Sequence, residues 1–129
     1  MVAVSLKKRE GGAPPAARAA APQRTPRRHS VAGTLPGFDG IVVMPAGGRA
    51  GWYSDWPGRT DGNFAPLWET FHVHQLVPWV DANFNTSGTR SGRAVAGLSM
   101  GGYGALRYAG RHPHLFSAVG AFSAGTTSG

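Results

Sequence analysis

The residues best suited to chemistry lie in the stretch GLSMG, residues 97–101, where Ser99 is flanked by Gly97 and Gly101. This G-x-S-x-G pattern is typical of a serine on a sharp strand-to-helix turn, with its hydroxyl exposed for nucleophilic attack. The two glycines lack side chains that would block the close approach of neighbouring backbones. Ser99 is therefore the candidate nucleophile, and it would form an acyl-enzyme with a carboxylic ester.

The backbone N–H of Met100 is the candidate oxyanion donor. Met100 follows the serine immediately, and in such turns this N–H stabilises the negative oxygen of the tetrahedral intermediate. A helix predicted over 101–112 would also direct its N-terminal amides and the positive end of its dipole at the site.

The segments around this turn have the pattern of an α/β fold. Short apolar runs predict buried strands and helical spacing predicts helices, in the order strand 40–45, helix 67–84, strand 93–98, helix 101–112 and strand 116–125. Pro78 should kink or restart the first helix. This alternation predicts a parallel sheet with helices on both faces.

Charge and composition divide the chain into three parts. The 129 residues carry a net charge of +7, and nearly all of it lies in the first 30 residues. We therefore expect a disordered basic Ala/Pro/Arg-rich tail over 1–36, a globular domain over 37–125 and a flexible end over 126–129. The apolar segment of a signal peptide does not follow Lys7–Arg9, which leaves the compartment open.

Composition also limits the classes of partner. No apolar run approaches the length of a membrane span, and the chain has no cysteine for disulfides or thiolate metal sites. The scattered basic residues of the tail are more typical of a solvated segment than of a nucleic-acid-binding arm. Oligomeric state cannot be read from the sequence.

An aromatic loop follows the first predicted strand. Trp52, Tyr53 and Asp55 lie at its carboxyl end, the edge at which open α/β sheets bind ligands. We predict either that they line the acyl or alcohol pocket or that they only pack over the core. Trp68, Phe71 and Trp79 in the next helix are predicted core residues.

The histidines give no metal site. His72 and His74 are two residues apart, as are His112 and His114, and residues at that spacing on a helix point to different faces. We expect surface or helix-end histidines and predict neither a metal nor an organic cofactor. Glu69 is expected to complement the dipole of the first helical turn.

Three segments together resemble a known family. MPAGGRAGWYSDW (44–56), WETF (68–71) and RAVAGLSMGGYGALRYAGRHPHLFSAVGAFSAG (93–125) are similar to the esterase family of α/β-hydrolases that includes S-formylglutathione hydrolases and antigen 85 mycolyltransferases. The resemblance implies an α/β-hydrolase fold and acyl-ester chemistry at Ser99, with small-molecule or lipid esters as substrates. Antigen 85 members tend to have Ala after the Ser-Met pair, whereas this chain has Gly101–Gly102 there, which favours a general carboxylesterase.

The sequence departs from the family at the other two members of the catalytic triad, the acid and the histidine. In this fold the order is Ser, Asp or Glu, then His, but no acidic residue follows Ser99. His112 and His114 lie at the far end of the next helix, and no upstream H-G-rich oxyanion loop is present. We therefore interpret the chain as a partial hydrolase with little or no turnover alone. The alternatives are a non-catalytic remnant and a small binding protein with a nucleic-acid-contacting tail.

Overall fold

The computed structural model describes residues 2–11, 35–57 and 66–125. These residues form one four-stranded sheet from β1 (Val2–Lys7), β2 (Gly40–Val43), β3 (Arg93–Leu98) and β4 (Ala118–Phe122), in the spatial order β2-β1-β3-β4. The helices are a π-helix (Thr70–Leu76), α1 (Val77–Asn83), a 3₁₀ turn (Arg90–Gly92) and α2 (Met100–Arg111). No helix in these ranges has the length and hydropathy to cross a bilayer.

The sheet is mixed, which corrects the prediction of a parallel sheet. Strands β3 and β4 pair in parallel, but β1 runs antiparallel to both β2 and β3. Strands β2, β3 and β4 therefore point the same way, as predicted, and their carboxyl ends share one edge. The α/β class is confirmed, with one unforeseen strand at the centre of the sheet.

The prediction of disorder over 1–36 is wrong for the first residues. Val4 and Leu6 of β1 are buried, Leu6 to 2% exposure, whereas Ser5 between them is half-buried. This alternation is the period-two pattern of a strand, and the basic, Pro-rich residues that follow it obscured it. The predicted tail over 12–34 and the predicted end over 126–129 lie outside the described residues.

Both helical segments pack on the same face of the sheet. Val73, Val80 and Tyr108 join Val4 and Leu6 in one buried cluster. On β3 the alternate residues Arg93, Val95 and Gly97 are buried, while Ala94 and Ala96 are half-buried. In the described ranges the helices thus cover one face, whereas the sequence predicted helices on both.

The helix predicted over 67–84 restarts near Pro78, as expected. The Val77 N–H donates to the carbonyl of His72, five residues back, so the turn before the proline is wide. Pro78 then occupies the first turn of α1, where a missing N–H costs no hydrogen bond. Phe71 and Trp79 are exposed, which corrects their assignment to the core, whereas Trp68 is half-buried.

Candidate active site

Ser99 forms the turn between β3 and α2, and its backbone is strained. It adopts φ 56° and ψ −122°, a region that residues with a side chain rarely occupy. The Ser99 N–H donates to the carbonyl of Phe122 at 2.9 Å, and the Ser99 carbonyl accepts from the N–H groups of Tyr103 at 3.2 Å and Gly125 at 3.3 Å. Three hydrogen bonds thus hold the backbone of Ser99 in this conformation. The residue itself is exposed to solvent.

Glycines permit the helix to begin so close to the strand. A Cβ on Gly97 would lie 2.0 Å from the carbonyl oxygen of Gly101, and one on Gly102 would lie 3.0 Å from the Cα of Ala124. The first turn of α2 is therefore packed directly on the backbones of β3 and of the segment after β4. Gly97, one of the two glycines predicted to permit a close backbone approach, thus contacts the backbone of the other, Gly101.

Met100 is the first residue of α2. The N–H groups of a first helical turn have no acceptor within their own helix, and no acceptor for the Met100 N–H occurs in the described ranges. This N–H is therefore free to donate to an oxygen beside Ser99, where the dipole of α2 favours negative charge.

Backbone strain is concentrated at the edge that carries Ser99. The described residues with positive φ other than glycine are Trp52, Tyr53, Ser99 and Ser123, at 49°, 53°, 56° and 44°. They lie in the segments after β2, β3 and β4, whose carboxyl ends share one edge of the sheet. Strained residues of this kind cluster at functional sites, and open α/β sheets bind ligands at this edge.

Of the three predicted pocket residues, Trp52 lies beside the serine turn. Its ring makes an edge-to-face contact with Tyr103, with centroids 5.6 Å apart. A Cβ on Gly125 would lie 3.5 Å from the same ring. Because Tyr103 and Gly125 both donate to the Ser99 carbonyl, Trp52 packs against the residues that hold Ser99 in place.

Tyr53 and Asp55 have other surroundings. The Tyr53 ring is 1% exposed and packs so closely on Gly104 that a Cβ there would lie 2.5 Å away. Asp55 accepts from the backbone N–H of Thr70 at 3.0 Å and from its hydroxyl at 2.6 Å. Burial would raise the pKa of Asp55, but these hydrogen bonds outweigh it and keep the pKa below its usual value. Tyr53 thus belongs to the core. Asp55 holds the first residue of the π-helix, Thr70, through two hydrogen bonds.

His72 is buried, which corrects its placement at the surface. Its Nε2–H donates to the carbonyl of Ala46 at 2.9 Å, so its Nδ1 accepts from the hydroxyl of Tyr108 at 2.8 Å. Burial lowers the pKa of His72, although the bond to Ala46 partly offsets this effect. His72 is a neutral structural side chain with both ring nitrogens occupied.

A buried charge cluster at the far end of α2 was not foreseen. Glu69 is 4% exposed and accepts from the Nε atoms of Arg107 at 3.1 Å and Arg111 at 2.6 Å, and its Oε1 lies 2.8 Å from the Nε2 of His112. Burial would raise the pKa of Glu69, but Arg111, His112 and Arg107 together lower it. The i, i+4 spacing of the two arginines was the available sequence signal.

No general base reaches the nucleophile in the described ranges. His72 and His112 are engaged elsewhere, and no histidine or carboxylate there hydrogen-bonds the Ser99 hydroxyl. The twelve residues of α2 span about 18 Å between Ser99 and His112. Nor do residues 2–11, 35–57 and 66–125 contain a cluster of histidine and acidic side chains able to hold a metal ion.

Comparisons with known proteins find relatives of part of this chain. An esterase of Mycobacterium tuberculosis is 51% identical over 83 residues, which are 64% of this chain and 18% of that protein. The diacylglycerol acyltransferase/mycolyltransferase Ag85B of Mycobacterium leprae is 43% identical over 86 residues, 64% of this chain and 26% of that protein. The solved structure of a ferulic acid esterase matches 56% of this chain and 25% of its own, with 42% identity and a TM-score of 0.48.

The chain thus spans about a quarter or less of the length of these curated relatives. A family model described as "Putative esterase" matches residues 39–128, a range that includes β2, the π-helix, α1, the Ser99 turn, α2 and β4. On this match, the chain belongs to that esterase family.

Proposed function

We propose that this chain carries the nucleophile turn of a serine-dependent ester hydrolase or acyltransferase. The observation that carries the proposal is the strained, exposed Ser99 at the start of α2, beside a Met100 N–H that has no acceptor among the residues that the structure describes. Membership of an esterase family, and relatives named esterase and mycolyltransferase, support the same class of reaction.

In the proposed reaction the Ser99 oxygen attacks the carbonyl carbon of an ester while its proton passes to a base. The carbonyl oxygen becomes negative in the tetrahedral intermediate and accepts from the Met100 N–H. Collapse of the intermediate expels the alcohol, which takes up a proton, and leaves an acyl group on Ser99. In hydrolysis, water then removes the acyl group from Ser99. In acyl transfer, a second alcohol removes it.

The described ranges hold no base for the first step. Without one a serine hydroxyl is a weak nucleophile, and loss of triad members lowers turnover by several orders of magnitude. We therefore propose that this chain alone hydrolyses esters slowly or not at all. Trp52 is the proposed wall of the acyl or alcohol pocket because it packs against Tyr103 at the serine turn.

The test is hydrolysis of p-nitrophenyl acetate by the purified chain, together with covalent labelling by a fluorophosphonate probe. We expect slow labelling at Ser99, lost in Ser99→Ala and retained in Ser91→Ala, which removes an exposed hydroxyl at the opposite end of β3. Labelling that survives Ser99→Ala would contradict the assignment of the nucleophile. Rapid turnover that depends on Ser99 would contradict the proposed lack of a base.

A further inference from the structure

An open groove of about 400 Å³ lies at the end of the sheet away from Ser99. One wall is the end of β1 and the residues after it, Lys7 to Glu10, and the other carries the side chains of Ser87, Thr89 and Ser91. The six residues of β3 separate the groove from Ser99 by about 20 Å. The groove is therefore distinct from the candidate active site.

The hydroxyl wall is a chain of three side chains. The Ser87 and Thr89 oxygens lie 3.3 Å apart, and the Thr89 and Ser91 oxygens lie 3.1 Å apart, with either atom of each pair able to donate. Since these hydroxyls are partly or fully exposed and rotate freely, each can turn its proton toward a ligand in the groove.

Glycine forms the floor between the two walls. A Cβ on Gly92 would lie 2.0 Å from the Ser87 oxygen and 3.4 Å from the Cβ of Lys7. A side chain at this position would therefore displace the Ser87 hydroxyl and occupy part of the groove. The absence of one leaves room for a small ligand between the lysine and the hydroxyls.

The other wall carries excess positive charge. Lys7 pairs with Glu10 at 3.5 Å and Lys8 pairs with Asp39 at 3.2 Å, and all four side chains are mostly exposed. Such surface ion pairs are weak and exchange partners readily. Arg9 forms no ion pair with a carboxylate of the described ranges. Three cations and one carboxylate, Glu10, thus line the groove, and a second carboxylate, Asp39, pairs with Lys8 from outside the lining. The remaining net charge of about +1 favours an anionic ligand.

We propose that this groove binds a phosphate group, with Lys7, Lys8 and Arg9 supplying charge and the three hydroxyls donating hydrogen bonds. A phosphate monoester carries between one and two negative charges at neutral pH and offers three strong acceptor oxygens. It matches several cations and donors, whereas a carboxylate offers one charge and two oxygens. A soluble phosphate monoester and a phospholipid headgroup share this chemistry.

Inorganic phosphate is the first probe, titrated into the full chain at constant low ionic strength while the backbone amide signals of residues 87–92 are followed by NMR. Lys8→Gln and Arg9→Gln should each weaken binding about two- to fivefold, the effect of one exposed charge contact. Glu10→Gln should tighten binding by a similar factor, because it frees Lys7 and removes a repulsive charge. Arg49→Gln, a matched change in the loop after β2, should have no effect.

Glu10→Gln should raise the affinity for phosphate, whereas Lys8→Gln and Arg9→Gln should lower it. These opposite effects distinguish specific binding in the groove from general attraction of phosphate to a basic protein. An equal effect of Arg49→Gln, or no saturable shifts at 87–92, would overturn the proposal. So would unchanged affinity in Glu10→Gln. Cosedimentation with phosphatidylcholine vesicles, with and without phosphatidic acid, then assigns the source: binding that requires phosphatidic acid indicates a headgroup, and phosphate binding without it indicates a soluble ligand.

Discussion

Ser99 combines exposure with a backbone conformation that only glycine adopts without strain. Such strain is of the order of 1–3 kcal/mol per residue, and the hydrogen bonds from Ser99 N–H to Phe122 and from Gly125 and Tyr103 to its carbonyl maintain it. The sequence predicted this turn because its signal is local: a strand, a G-x-S-x-G and a small-residue helix lie within about twenty residues. The i, i+4 spacing of Arg107 and Arg111 indicates two cations on one helix face, but it does not identify Glu69 as their partner, because Glu69 lies some forty residues away.

Relief of this strain provides the first prediction. Ser99→Gly should be more stable than Ser99→Ala by about 1 kcal/mol, because both remove the hydroxyl but only glycine adopts φ 56° without penalty. Urea unfolding of the two variants measures the difference. Equal midpoints would mean that the backbone relaxes when the side chain changes.

Gly97 provides a second prediction at the residue scale. Gly97→Ala should cost about 3 kcal/mol or more, because its Cβ would overlap the carbonyl oxygen of Gly101. The matched control is Gly110→Ala, a helical position at which a Cβ meets no atom within 4 Å. That variant should gain roughly 0.5–1 kcal/mol from helix propensity. Thermal unfolding of the two variants tests the expected loss of stability in Gly97→Ala and the expected gain in Gly110→Ala. A loss of stability in Gly110→Ala would contradict the open space around that position.

His72 makes stability depend on pH. Its pKa in the folded chain lies below the ordinary value of 6.5, so below about pH 6.5 the unfolded chain binds a proton that the folded chain does not. The free energy of unfolding should therefore fall as the pH drops from about 6.5 toward the lowered pKa.

Urea unfolding between pH 7 and pH 5 checks this slope. His72→Gln should be less stable at pH 7 but should lose less stability over that range. Asp55 and Glu69, whose pKa values are also lowered, add a second loss of stability below about pH 4, because their carboxylates then take up protons in the unfolded chain but not yet in the folded chain. A steeper slope in His72→Gln would rule out its assignment as the buried neutral group.

At the scale of elements, β1 is the feature that sequence reasoning missed. The alternation of Val4 and Leu6 with smaller residues is a strand pattern, but only five residues long and followed by a basic, Pro-rich segment. What makes it a strand is pairing with β2 and β3, whose residues lie far along the chain. The bounds of β3 and the restart at Pro78 were predictable because they follow from an apolar run and from proline geometry. Strands β2 and β4 were located correctly but are shorter than the predicted 40–45 and 116–125.

A matched pair of leucines tests whether β1 belongs to the core. Leu6→Ala should cost about 2–5 kcal/mol, since Leu6 is buried between the sheet and the helices. Leu106→Ala on α2, where the side chain is 50% exposed, should change stability by about 0.5 kcal/mol or less. Chemical denaturation of both variants gives the comparison, and similar small effects would place β1 outside the cooperative core.

At the scale of the whole molecule, the described residues combine the strained Ser99 turn with a partly covered sheet. Strand β4 lies at one edge, and Val119 and Phe122 on it are exposed, as is Leu98 at the end of β3. A charge on an edge strand disfavours pairing with other chains. Val119→Lys should therefore reduce self-association at high protein concentration without loss of the fold.

Analytical ultracentrifugation over a concentration series measures this association, with Leu106→Lys on α2 as the control for added charge. An equal reduction by both substitutions would attribute the effect to net charge and not to the β4 edge.

The central position of β1 also determines when the sheet can form during synthesis. Val4 pairs with Val43 and also with Val95, so β1 gains its second partner only after a segment about 90 residues further along has been made. At about 5–20 residues per second this delay lasts roughly 5–20 seconds. Over that interval β1 has at most β2 as a partner, and a chaperone that recognises short apolar segments flanked by basic residues would find Leu6 beside Lys7 and Lys8.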